Sequence, residues 1–209
     1  MKKIFFLFLA AIIALSFSVI DNHEAQVKKA AQEQLQTALA GIPAGQEINF
    51  GFVSREEFKS GIIGEVYRTI TLTNDFYKDA ILTDKDYIRV QNEWRVPVMI
   101  NGENRVLLTV FGQDTALNIV DVGGALLAKE MQSKSIGQTQ KEKFIFRIYT
   151  LTMDFIVFVD QGKTLAEGVY YPMNSALMGM PLPDGSPMTQ AEVFHHVKKK
   201  LNEPNNQPR

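Results

Sequence analysis

The chain of 209 residues contains no cysteine. That absence excludes a disulfide framework, thiolate metal sites, a cysteine nucleophile and a lipid-modified N-terminal cysteine. Histidine is scarce, with three in the whole chain, and tryptophan occurs once. There is no basic excess either: the formal net charge is −1, and without Lys2 and Lys3 the balance is 20 basic to 23 acidic side chains. Lysine and arginine are dispersed rather than clustered, so nucleic acid is not an expected partner. The nucleophile elbow G-x-S-x-G, the phosphate loop G-x-x-x-x-G-K-[ST] and the dinucleotide fingerprint G-x-G-x-x-G are all missing. No cofactor is expected.

What is present begins with an export signal. Met1-Lys2-Lys3 forms a basic start, and Ile4 to Ile20 carries no charge. A basic n-region followed by an apolar h-region is the layout a translocase reads. Ser16-Phe17-Ser18 supplies small residues at −3 and −1, predicting a mature chain from Val19, with Ala14-Leu15-Ser16 as the second choice. The 17-residue apolar run lies at the lower edge of the roughly 17–25 residues that span a bilayer. An uncleaved anchor through residues 4–20 is therefore the alternative, and would be the chain's membrane contact. The expected location is periplasmic or secreted, with inner-membrane tethering as the second outcome.

The rest divides into one domain, 19–201, and a mobile polar tail, 202–209. The 45% apolar and 22% charged residues of the full chain suffice for a core without disulfides. Asp21 to Ala40 reads as an amphipathic helix, with Val27, Ala31, Leu35 and Leu39 at helical spacing and Gly41 and Pro43 ending it. Glu47 to Val53 is a short strand candidate. Ser54-Arg55-Glu56-Glu57 has a capping-box pattern opening a short helix closed by Gly61. Glu65 to Thr73 alternates as a strand with one break: Arg68 shares the face of Val66, Ile70 and Leu72. Asn74 to Asp86 reads as irregular, with a helical turn at Ala80 to Leu82.

Trp94 to Ile100 and Glu103 to Phe111 are strand-like runs joined by Asn101-Gly102, the pair favoured in a type I′ hairpin turn. Pro97 cannot donate to a ladder, which predicts an edge or a bulge. Ala116 to Val122, Lys143 to Tyr149, Asp154 to Asp160 and Thr164 to Tyr171 are further strands. Ala125 to Met131 is a short helix after Gly123-Gly124. Met173 to Met180 forms one or two helical turns, and Pro181 to Gly185 a turn-rich connector. Thr189-Gln190-Ala191-Glu192 caps a C-terminal helix. Hairpins without a βαβ rhythm predict an α+β fold: a curved antiparallel sheet of six to eight strands, with N-terminal and C-terminal helices packed on one face.

Chemistry-bearing candidates are few. Glu192 and His196 stand at i and i+4, a spacing metal ligands use, but two ligands make no site, and no metal is expected. Gly123-Gly124 between a strand and a helix could receive an anion, but reads first as a tight turn. Acid pairs for glycan chemistry would be Glu56-Glu57, Asp84 with Asp86, or Asp154 with Asp160, and only their separation could decide. No catalytic residue is assigned. The polar-tipped aromatics Tyr67, Trp94, Tyr170 and Tyr171, with the Asn101-Gly102 turn, are the candidate binding surface.

The stretches Gly51-Phe52…Glu56-Glu57-Phe58…Gly64, Trp94-Arg95-Val96-Pro97-Val98, Arg105 to Val110 and Gly123 to Glu130 together resemble uncharacterised secreted bacterial α+β domains. The helix-then-sheet order is similar to cystatin-like folds. The resemblance implies no particular activity. The expected function is a non-enzymatic binding or accessory domain of the bacterial envelope with a protein partner. The alternative is an exported hydrolase of wall or glycan material.

Overall fold

A computed structural model describes residues 23–82, 86–113, 116–180, 182 and 185–203. The expected export segment, Asp84, much of the Pro181–Gly185 connector and most of the polar tail lie outside these residues.

The architecture is α+β. Helix α1 occupies residues 23–40 and is followed by two short 3-10 turns, Glu47–Phe50 and Arg55–Ser60. Then come β1 (Ile62–Ile63), β2 (Tyr67–Leu72), α2 (Asn74–Lys78), β3 (Ile88–Ile100), β4 (Glu103–Phe111), β5 (Asn118–Gly123) and α3 (Ala125–Lys134). The chain ends with β6 (Lys141–Ile148), β7 (Met153–Asp160), β8 (Val169–Pro172), α4 (Asn174–Gly179) and α5 (Gln190–Leu201). The strands form one eight-stranded sheet in the order β5-β4-β3-β2-β6-β7-β8, with β1 beside β3. All pairs are antiparallel except β2 with β6, which are parallel.

Directly paired residues share a face, so register reveals which helix covers what. Trp94 pairs with Arg68, Arg68 with Phe144, and Phe144 with Val157. On this front face α1 lays Val27, Ala31, Leu35 and Leu39 over Trp94, Val96, Val98, Val106, Leu108 and Val110. Farther along the same face, α5 and α2 place Val193, Phe194, Val197 and Phe76 over Ile70, Phe146, Phe155 and Val157. The two terminal helices thus cover opposite halves of one face, as the pattern predicted. The back face is not bare: Ala128 and Met131 of α3 pack on Tyr67, Leu107, Ile145, Ile156 and Phe158. Each buried Leu, Phe or Val contributes about 1.5–3 kcal/mol, which is how a cysteine-free chain holds this sheet.

Local chemistry sets the boundaries. Asn101 (φ 51°) and Gly102 (φ 82°) form the expected left-handed turn, pairing Ile100 with Glu103. Gln132 of α3 fixes that hairpin, donating to the Gly102 carbonyl and accepting from the Asn104 N–H. At the C-terminal helix, the Thr189 hydroxyl accepts from Glu192 N–H, while the Glu192 carboxylate accepts from Thr189 N–H at 2.7 Å.

Several expectations change. Glu47 to Val53 is no strand. Gly51 sits at φ 83° with no room for a Cβ, which would fall 2.4 Å from the Arg105 carbonyl oxygen, so the chain turns instead of extending. Ser54 makes no side-chain cap. The Glu57 carboxylate accepts from Val53 N–H instead, and the following turn is 3-10. The helical turn expected at Ala80 to Leu82 lies earlier, at Asn74–Lys78. Pro97 lies in an interior strand, paired with Leu107. Its carbonyl accepts from Gly64 N–H in the gap between β1 and β2, so its missing donor interrupts no ladder, and the register shifts just beyond it, between Val98 and Met99.

Candidate functional site

Between the start of α1 and strands β2 and β6 lies a cavity of about 380 Å³. Its floor is sheet: Trp94 from β3, Arg68 from β2 and Phe144 from β6, with Val66 beside them. His23 and Glu24 at the start of α1 form one wall, and Asn92, Gln113, Glu142 and Lys143 complete the lining. His23 stacks at a tilt on Trp94, ring centres 5.0 Å apart.

Arg68 is the unusual member. Its guanidinium lies over the Trp94 ring, 5.7 Å from the centroid, and its Nε donates to the Gln91 carbonyl at 3.2 Å. The other largely buried arginines have carboxylates: Arg95 with Glu93 at 3.1 Å, Arg105 with Glu57 at 3.6 Å, Arg147 with Asp154 at 3.7 Å. Among the described residues Arg68 has none within ion-pair distance. Burial alone pushes its pKa down from the ordinary arginine value. Buried charge is ordinarily paired because desolvation costs several kcal/mol per ion. A cation–π contact returns only about 1 kcal/mol of that. The cavity therefore contains a half-buried cation with no carboxylate partner among the described residues.

Glu142 is its counterpart. It lies two residues before Phe144 on β6, on the same face, and burial raises its carboxyl above the usual range. No cation among the described residues pairs with it. Glu24, by contrast, pairs with Lys28 at 3.0 Å, and Lys143, which also borders the cavity, pairs with Glu65 at 2.6 Å.

The residues singled out from sequence are scattered. Tyr67, Trp94 and Tyr170 are buried. The Tyr67 hydroxyl shares a hydrogen bond with Ser135, 2.8 Å away under α3, and burial pushes its phenol up. The Tyr170 hydroxyl donates to the Leu165 carbonyl, and burial pushes its pKa up to about 12. Tyr171 is half-buried on the back face, and Asn101 and Gly102 are exposed at the far end of the hairpin. Only Trp94 belongs to the cavity. Arg68 escaped selection, although its signal was legible: one cation on the apolar face of a strand.

Of the acid pairs, Asp84 with Asp86 falls partly outside the described residues, and the other two form no facing pair. Glu56 is held by Lys59 at 2.8 Å and Glu57 by Val53 N–H and Arg105. Asp154 and Asp160 share one strand six residues apart, about 20 Å, well beyond the roughly 5–9.5 Å that glycosidases use. Glu192 is engaged by its cap, and His195 and His196 stack edge-to-face. Among the described residues no helix is long and apolar enough to cross a membrane. Comparison of the chain with protein-family models, curated proteins and solved structures found no match.

Proposed function

We propose that this protein is an exported, non-enzymatic binding or accessory domain of the bacterial cell envelope, and that its front-face cavity holds a small molecule with an acidic group and an apolar body. The observation carrying this reading is Arg68, a half-buried cation without a carboxylate partner among the described residues, laid over Trp94 on a cavity floor. A carboxylate or similar anion would supply the missing partner through charge-assisted hydrogen bonds. Trp94, Phe144 and Val66 would receive the apolar part, and about 380 Å³ lies at the small end of ligand pockets.

Trp94 is the chain's single tryptophan, so the cavity has its own reporter. Titration with 3-phenylpropionate is expected to change tryptophan emission saturably in the wild type and not in Arg68→Gln. Equal responses in both proteins would remove Arg68 from the reading.

A protein partner is the other form of the accessory role. It is supported by exposed Ile48, Val53 and Leu126, which flank the approach of Gly51 to Ala125. Native pull-down from envelope extracts tests it, and recovery of nothing above background would end it.

A further inference from the structure

Two charges in the cavity, Arg68 and Glu142, have no ion-pair partner among the described residues; they have opposite sign and do not pair with each other. Arg68 is opposite Phe144 in the β2–β6 register, and Glu142 lies two residues back along β6 on the same face. Strand spacing and rise place the two Cα atoms about 8 Å apart. The Arg68 side chain leans over Trp94, on the side away from β6, which widens the gap. Phe144 stands between them, an apolar floor bridging a positive end and a negative end.

Two half-buried opposite charges normally stabilise themselves by forming an ion pair. At that spacing two long side chains could meet, but the Arg68 side chain turns over Trp94 instead, and among the described residues neither charge has an ion-pair partner. A ligand with an anion at one end, a cation at the other and apolar surface between would satisfy both at once. A purely anionic ligand would satisfy Arg68 but would leave Glu142, in the same cavity, without a partner. From this we infer that the ligand is a zwitterion with separated charges: a short peptide with a free amino terminus, its carboxylate on Arg68, its ammonium on Glu142 and an apolar side chain over Trp94 and Phe144. Length argues for two residues, since a dipeptide spans about 7 Å and a single amino acid about half of that. The inference rests on the acid-binding reading of Arg68 and adds the second charge to it.

The test uses alanyl-phenylalanine, its N-acetyl form and its C-terminal amide, measured by calorimetry and Trp94 emission. The free dipeptide is expected to bind roughly tenfold more tightly than the N-acetyl form, the effect of losing one charged hydrogen bond. In Glu142→Gln that preference should vanish, while the amide should stay weak. If the N-acetyl form binds the wild type as tightly as the free dipeptide, the zwitterion is overturned and the acid reading stands. The same follows if 3-phenylpropionate binds and the dipeptide does not. If the amide binds as tightly as the free dipeptide, or if no acid binds at all, the acid reading itself is overturned and this inference with it. Because the decisive comparisons are between ligands on unaltered protein, misfolding of a variant cannot mimic either outcome.

Discussion

The guanidinium of Arg68 rests over the indole of Trp94, 5.7 Å from its centroid, and the pair forms part of the floor of the cavity at the start of α1. The contact is a consequence of register. Arg68 and Trp94 face each other across β2 and β3, on the face that carries Val66, Ile70 and Phe144. A methionine there would pack as well and cost less to desolvate.

Arg68→Met is therefore expected to leave stability unchanged or raise it by up to about 1 kcal/mol, because a half-buried unpaired charge is replaced by an apolar chain of similar reach. Ligand binding should be lost in the same variant. Urea denaturation and the 3-phenylpropionate titration measure the two effects. A loss of more than 2 kcal/mol would instead make Arg68 a structural residue.

Gln34 of α1 is expected to protect an open sheet edge. Its side-chain amide donates to the Leu117 carbonyl at 2.9 Å and accepts from the Ile119 N–H at 3.0 Å, as a neighbouring strand would beside β5. Gln34→Ala should cost about 1–2 kcal/mol and promote self-association. Light scattering at increasing concentration checks the second part, and an unchanged monomer would show that the edge needs no guard.

Asp154 should make the protein less stable as pH rises. It is 6% exposed, one of its oxygens lacks a hydrogen bond, and burial raises its carboxyl despite Arg147 and Ser175. A folded-state pKa above the unfolded one means that the native state binds more protons between the two values. Stability therefore falls as pH climbs from the ordinary carboxylate range to the raised one. Asp154→Asn keeps the shape and removes the titration. Denaturation midpoints across pH 4 to 8 should decline less steeply in the variant, and parallel profiles would contradict the assignment.

Gly51→Ala should destabilise by about 2–3 kcal/mol, since it combines a left-handed backbone with a Cβ driven into the Arg105 carbonyl. Replacement of Gly102, equally left-handed but with open space around it, should cost less. Comparing the two by urea denaturation separates steric from conformational cost, and equal losses would contradict the close approach.

Much of this fold was legible because its signals are local. Helical spacing from Val27 to Leu39, the Asn101-Gly102 turn and the Thr189–Glu192 cap each act within a few residues. What escaped depends on distant partners. Ile48, Phe50 and Phe52 alternate like a strand, but Arg105, far along the chain, makes Gly51 a turn. The parallel pairing of β2 with β6 leaves no mark in either strand's pattern. The cavity was half legible. Arg68 interrupts its strand's apolar face in plain sight, whereas Glu142 acquires meaning only when β6 lies beside β2 and the start of α1 closes the wall.

The central claim concerns one place, and the single indole reports on it. Proton–nitrogen correlation spectra of labelled protein, titrated with alanyl-phenylalanine, are expected to shift the Trp94 indole cross-peak saturably, together with the amides of Val66, Arg68, Glu142 and Phe144. Those shifts should disappear in Arg68→Gln. A Trp94 indole that does not move while other regions respond, or shifts that persist without Arg68, would contradict the account.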